Sequence, residues 1–313
     1  MIETVTGAIR GEDLGPTLVH EHVRVSRDGV PAEFPHLFDR QAEIERAVVA
    51  VTAAADQGIR TICDATVLPL GRDVQLMRAV SVATGVRIVA ATGIYTLDAL
   101  PTFFRCWSPA DLAEVFVHDL LVGAQGTTIR AHFLKCATGP EGLTEDVESA
   151  LRATALAHLR TGAPILTHST PAQRNGLRQQ DVLAAAGVDL RRVVIGHCGD
   201  TEDVDHLADI AGRGSFVGLD RFGTGEPISD EARIATVLRL CDRGLIDRLV
   251  LSHDYACTTD RYPAEEARRL RPNWRLTYLF DVVIPALERG GLSREDVEMI
   301  TVVNPRRWLA ADG

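Results

Sequence analysis

A chain of 313 residues that is 46% hydrophobic and 24% charged carries enough apolar material for a sizeable core, which excludes a disordered or fibrous protein. Its 33 Lys plus Arg against 43 Asp plus Glu leave a formal charge of −10, so the mean field repels polyanions and excludes nucleic acid as a partner. No run approaches the roughly 18 apolar residues of a membrane helix, and the opening MIETVTGAIRGEDLG lacks the basic-then-apolar order of a signal peptide. A cytoplasmic protein acting on small molecules is the expectation. The cysteines at 63, 106, 136, 198, 241 and 257, with no CxxC pair, read as buried thiols in a reducing compartment.

In chain order, short apolar runs read as strands buried on both faces. They are TLVHEH (17–22), RTICDAT (60–66), RIVAATGIY (87–95), AHFLKCAT (131–138), PILTHST (164–170), RVVIGHC (192–198), SFVGLD (215–220) and RLVLSHD (248–254). Helical patterns lie between them. RQAEIERAVVAVTAAADQG ends at Gly58, and TEDVESALRATALAHLRTG is opened by Thr144 with an acidic first turn and closed by Gly162. Such repetition matches a single-domain (β/α)8 barrel over residues 1–313, a fold that runs to roughly 250 residues before insertions. A doubly wound open sheet is the runner-up, and it lacks its usual mark, because the first run ends in HEH where a glycine-rich phosphate loop would follow. The longest irregular stretch, residues 254–280, is expected to be functional because of its length.

Buried strands should end in small or apolar residues, yet these end in His20, His22, Lys135, His168, His197 and Asp254. Residues i and i+2 of a strand share a face, and the C-terminal ends of barrel strands surround one mouth, so these side chains are expected to converge. A lone histidine at a strand end is commonly structural; agreement in register along separate strands is what points to a site. By the same logic His36, His118, His158 and His206, in loops or helical patterns, and His132, at the wrong end of a strand, read as structural.

Lys135 is the only lysine among the 33 basic residues. A codon bias removes lysine wherever a guanidinium serves as well, so the survivor is suspected of amine chemistry, either a Schiff base or a carbamate formed with CO2. Four His, one Asp and a Lys could fill two adjacent sites of mixed N and O ligation, suiting zinc, manganese, cobalt or iron(II) better than calcium or magnesium. An ammonium cannot ligate a metal. Carbamylation reverses its charge and gives two oxygens able to bridge two cations, and burial beside two dications favours the neutral amine that reacts.

The segments HEH (20–22), CDATV with GRD (63–73), GIY (93–95), LKCATG (134–139), THS (167–169), GHCGDT (196–201), GLDRFG (218–223) and LSHDYACTTD (251–260) resemble the phosphotriesterase-like lactonases of the amidohydrolase superfamily. The resemblance continues to NPRRWL at 304–309. It implies a binuclear centre in which His20, His22 and Asp254 hold the buried metal and His168 and His197 the more exposed one, with carboxylated Lys135 and a hydroxide between them. It also implies that Tyr95 borders the site and orients substrate, that Arg221 contacts Asp254 or substrate, that Asp200 belongs to a proton exit path, and that the chain forms a homodimer. Phosphotriesterases proper tend to carry histidine at the place of Arg221, so DRFG points to the lactonase branch. Departures at Arg261 and Tyr262, and at Thr96, Leu97 and Asp98, touch the substrate pocket.

The function expected from this resemblance is hydrolysis of lactones, such as N-acyl homoserine lactones, by a hydroxide held between two divalent metals, with phosphotriester hydrolysis as a side activity. Trp274 and Tyr278 are expected either to line a channel for the acyl chain or to pack the loop. The alternatives are a phosphotriesterase, a sugar-lactone or amide hydrolase with the same site, and a barrel that binds without turnover. A serine-triad hydrolase is disfavoured, since no GxSxG elbow appears.

Overall fold

The computed structural model describes residues 1–260 and 264–310. A hairpin of β1 (Ile2–Thr4) and β2 (Gly7–Ile9) precedes β3 (Thr17–Val25), β4 (Thr61–Asp64), β5 (Arg87–Gly93), β6 (Phe133–Ala137), β7 (Ile165–His168), β8 (Val193–Ile195), β9 (Phe216–Leu219), β10 (Leu249–Leu251) and β11 (Ala256–Thr259). Every expected strand is present, and the pairings from β3 to β11 are all parallel. The sheet order β10-β9-β8-β7-β6-β5-β4-β3-β11 places two consecutive pieces of chain at its opposite ends. The residues joining those pieces close the ring: Asp254 N–H donates to the His20 carbonyl at 3.1 Å, and His22 N–H donates to that of Tyr255 at 2.8 Å. The architecture is a (β/α)8 barrel.

Strand residues alternate between two cores. Val89, Ala91, Phe133, Leu166, Val194, Phe216 and Val250 fill the barrel interior, whereas Ile88, Ala90, Leu134, Ile165, Val193, Val217 and Leu249 pack toward the surrounding helices. Both faces of the strands are therefore apolar, as their sequences require. The end of the barrel away from the strand C-termini is closed by Ile2, Leu14, Trp308 and Leu309, which join the interior core, and Trp308 Nε1–H donates to the Ile165 carbonyl at 3.2 Å. This gives NPRRWL its structural role.

Helix ends follow their caps. Asp39 accepts from Ala42 N–H to start Arg40–Asp56, and Thr144 accepts from Val147 N–H to start Glu145–Thr161, which ends on left-handed Gly162. Three expectations need correction. The stretch 254–280 is not irregular, since ACTT forms β11 against β3 and Ala264–Leu270 is helical. His197 and Asp254 lie beyond their strands, in left-handed turns at φ 62° and 53°. The free cysteines are not all buried: Cys106 is exposed, and Cys241 and Cys257 are half-buried.

Candidate metal centre

Barrel register brings the predicted side chains together. Lys135 follows interior Phe133 by two residues, and His168 follows interior Leu166 by two, so both face inward. β3 does not alternate simply: its pairing with β4 shifts between Leu18 and Glu21. That irregularity lets His20 and His22 both turn to the site after interior Val19, while Leu18 and Val23 pack outward. Two glycines permit the close approach. A Cβ on Gly93 would meet the Lys135 carbonyl oxygen at 1.9 Å, and one on Gly196 would meet the Thr167 carbonyl oxygen at 2.2 Å and Asp220 Oδ2 at 3.0 Å.

Hydrogen bonds fix the imidazoles with their free nitrogens pointing inward. His20 Nδ1 lies 2.6 Å from Asp220 Oδ2, and His197 Nδ1 lies 2.9 Å from Asp220 Oδ1, which also accepts the His197 main-chain N–H at 2.8 Å. His22 Nδ1 lies 2.8 Å from Thr66 Oγ1, whose hydroxyl donates onward to the Arg24 carbonyl. Each Nδ1 therefore carries its proton outward and leaves a lone pair on Nε2. The lone pairs of His20 and His22 face one carboxylate oxygen. Asp254 Oδ1 is 3.1 Å from His22 Nε2 and 3.4 Å from His20 Nε2, whereas His168 Nδ1, 2.6 Å from His197 Nε2, can donate its proton to that lone pair.

The Asp254 carboxylate oxygen turned toward the Nε2 lone pairs of His20 and His22 makes a donor set that one shared divalent cation satisfies. His20, His22 and Asp254 offer atoms within 4.8 Å of one another. The trio His20, His197 and Asp220 satisfies the same spacing, but its distances are those of hydrogen bonds that orient the rings.

Electrostatics agree with that donor set. Burial, followed by the nearby Lys135 charge, drives the His20 imidazole down to about 3, and burial with the His197 charge holds His168 well below its ordinary value. Both rings stay neutral, as ligands must. Burial opposes ionisation of Asp220, but His197 and His20 outweigh it and hold the carboxyl well below its usual range. At Asp254 burial is likewise outweighed by His20, His22, His197 and Arg221.

Lys135 is 1% exposed, and its Nζ lies 3.1 Å from His20 Nε2 and 3.4 Å from the Thr167 carbonyl. No carboxylate is among those partners, and burial lowers the amine to about 8 against the pull of Asp254 and Asp220. Burial thus raises the neutral share of this amine above that of a lysine in water.

Arg221 spans the remaining predicted residues. Its Nε–H donates to Asp254 Oδ2 at 3.2 Å and its Nη1–H to Asp200 Oδ2 at 2.8 Å, while Arg233 Nη2–H donates to Asp200 Oδ1 at 2.8 Å. Burial opposes the Arg221 charge, but Asp254 and Asp200 outweigh it and keep the guanidinium protonated. A cavity of about 720 Å³ opens over these groups, and Tyr95 borders it with its ring edge-on to His168 at 5.2 Å. Trp274 lines the cavity, whereas Tyr278 is buried in the outer core, so only the first of the two has the channel position. Thr96, Leu97 and Asp98 line a neighbouring cavity that shares Val25, Leu70 and Tyr95 with the first. Arg261 and Tyr262 lie outside the described residues.

The histidines expected to be structural are elsewhere: His36 and His118 are exposed, His158 bonds the Ala163 carbonyl, His206 accepts from Arg174, and His132 accepts from the Glu3 main chain. Sequence reasoning passed over Asp220, Thr66, Glu21 and His253. Asp220 carried a usable signal, since it too is a polar residue closing a buried apolar run.

Comparison with known proteins agrees with this geometry. The profile of the Phosphotriesterase family matches residues 1–309. A relative named aryldialkylphosphatase, from Saccharolobus solfataricus, is 41% identical over 305 residues, covering 97% of this chain and 97% of its own length. The phosphotriesterase homology protein of Mycobacterium tuberculosis is 40% identical over 320 residues, covering 100% of this chain and 98% of its own. The solved structure of the phosphotriesterase from Mycobacterium tuberculosis superposes with a TM-score of 0.95 at 40% identity over 98% of each chain. No helix among the described residues is long and apolar enough to cross a membrane. With a family profile spanning nearly the whole sequence and relatives alike over their full lengths, the chain belongs to the phosphotriesterase family and is a hydrolase.

Proposed function

We propose that the protein is a metal-dependent lactonase for aliphatic or N-acyl homoserine lactones, with phosphotriester hydrolysis as a side activity. The observation that carries this reading is the Arg221 guanidinium between Asp254 and Asp200, in a cavity with Val25, Leu70, Tyr95, Ala256 and Trp274 on its walls. Arginine at this place marks the lactonase branch of the resemblance, and the apolar wall suits an acyl chain.

His20, His22 and Asp254 would hold one divalent cation and His168 and His197 a second, with a carbamate on Lys135 joining them; zinc suits the donors best, with cobalt, manganese or iron next. When bound, two such cations lower the pKa of a water between them toward neutrality and polarise the substrate carbonyl. The chain's own residues do the rest. Asp220 and Thr66 hold the imidazoles so that their lone pairs need no reorientation. Asp254 would take up the proton released at the attacking water and deliver it to the departing ring oxygen, so that the lactone leaves as a carboxylate and an alcohol. Arg221 fixes the Asp254 carboxylate, and Asp200, gripped by Arg233, fixes Arg221 and offers a further acceptor on the proton's way out. Tyr95 flanks the substrate beside His168.

Zinc-reconstituted protein assayed on lactones of varied ring and tail, on paraoxon and on acyl amides is expected to show its highest kcat/KM on a lactone. Highest kcat/KM on paraoxon would instead establish the second reading, which the 41% identical aryldialkylphosphatase favours. Hydrolysis of no ester or amide, with full metal occupancy, would overturn both. Arg221→His is expected to raise the ratio of paraoxon to lactone turnover by about 10-fold, because an imidazole cannot bridge Asp254 to Asp200 as the guanidinium fork does. An unchanged ratio would show that this residue does not set the preference.

A further inference from the structure

His253, the residue before Asp254, is fully buried, and its contacts lead away from the histidine cluster. Its Nε2 lies 3.1 Å from the main-chain nitrogen of Leu279. That N–H can only donate, so Nε2 carries a lone pair and the ring proton sits on Nδ1, from which it is donated to Glu21 Oε1 at 2.7 Å. The same Glu21 oxygen accepts from His253 N–H at 2.9 Å and from the Ser252 hydroxyl at 2.7 Å, and its other oxygen accepts from Tyr255 N–H at 2.8 Å. One buried carboxylate thus grips the chain on both sides of Asp254. Asp254 itself is held at φ 53°, a conformation that a residue with a side chain keeps only when its surroundings impose it.

A second set of contacts reaches the cavity. Trp274 Nε1–H donates to the His253 carbonyl at 2.9 Å, the Trp274 ring lines the cavity, and Tyr255 packs edge-on against it at 5.3 Å. His253 is therefore joined through its carbonyl and its Nε2 to the segment carrying Trp274 and Leu279, and through its Nδ1 and N–H to Glu21.

We propose that His253 is a positioning residue that ties the substrate-facing wall at Trp274 to the orientation of Asp254. The inference rests on the proposed role of Asp254 in carrying a proton to the leaving alkoxide. A misaligned Asp254 penalises a leaving group that must be protonated, such as the ring alkoxide of a lactone, and spares one that departs as a stable anion, such as the 4-nitrophenolate of paraoxon. A residue that merely supports the fold lowers both activities together.

Two substitutions divide the ring's duties. His253→Asn keeps an amide N–H near the Nδ1 position for Glu21 and leaves Leu279 N–H without its acceptor; His253→Gln places an amide oxygen near Nε2 and gives up the bond to Glu21. On zinc-reconstituted protein with metal content measured in parallel, His253→Gln is expected to lower kcat on an aliphatic lactone about 10-fold more than kcat on paraoxon. His253→Asn is expected to move the lactone KM more than kcat. Trp274→Phe, which keeps an aromatic wall and loses the bond to the His253 carbonyl, should shift in the same sense as His253→Gln and serves if that variant does not fold.

Equal losses on the two substrates, or no loss on either, would overturn the positioning role. Asp254→Asn run alongside separates the two claims. If it retains lactone turnover, the role of Asp254 falls and this inference with it; if it is inactive while the His253 and Trp274 variants show no lactone-selective loss, only the inference falls.

Discussion

Lys135→Ala is expected to lose bound metal and to lower kcat/KM by about 1000-fold or more, the scale of losing the cations that activate water. Among the described residues no carboxylate lies at hydrogen-bonding distance from its buried amine, which points at the unprotonated nitrogen of His20. A charged ammonium there is desolvated and close to the metal positions, which is doubly unfavourable. Addition of CO2 to the neutral amine forms an N–C bond, releases one proton and leaves an anion with two oxygens, converting the least suitable group in the pocket into a ligand. Alanine removes that anion and opens a gap the length of the lysine side chain. A short carboxylic acid added with zinc is therefore expected to restore part of the activity by filling the gap. Lys135→Arg, whose guanidinium cannot be carbamylated under these conditions, is expected to be as inactive as alanine and to resist rescue. Normal metal content and turnover in either variant would refute the bridge.

Asp220→Asn is expected to weaken metal binding by about 10- to 100-fold, the range seen when a group orienting ligating histidines is replaced. The carboxylate accepts from Nδ1 of both His20 and His197, which would belong to different metal positions, and from the His197 main chain. An asparagine at the same place offers one oxygen and one N–H₂ group. It can satisfy one imidazole and must present a donor to the other, forcing that ring to move its proton to Nε2, where a ligand needs a lone pair. Metal titration followed by calorimetry checks this, and two unperturbed binding events would show that Asp220 does not orient the rings.

How much of this was readable in the sequence depends on how local each signal is. The barrel strands were legible because burial on both faces makes each a continuous apolar run, as in Val193–Ile195 and Leu249–Leu251. Ala256–Thr259 was not, because its two threonines read as loop; only its bonds to β3 make it a strand. His20 and His22 were legible from their spacing and Lys135 from its singularity. The irregularity that turns both histidines inward is a feature of pairing with β4 and leaves no mark in HEH itself. Asp220 partners His20 from 200 residues away, and Glu21 partners His253 from 232, so their roles exist only in the folded chain. Glu21 in particular reads as the spacer between two histidines, whereas its carboxylate anchors the segment that closes the barrel.

The most direct measurement is diffraction from crystals of the zinc-loaded protein, with anomalous data at the metal edge. The account predicts two anomalous peaks between the histidines and continuous density for a planar three-atom group beyond Nζ of Lys135. A metal-filled pocket with density ending at Nζ would contradict it.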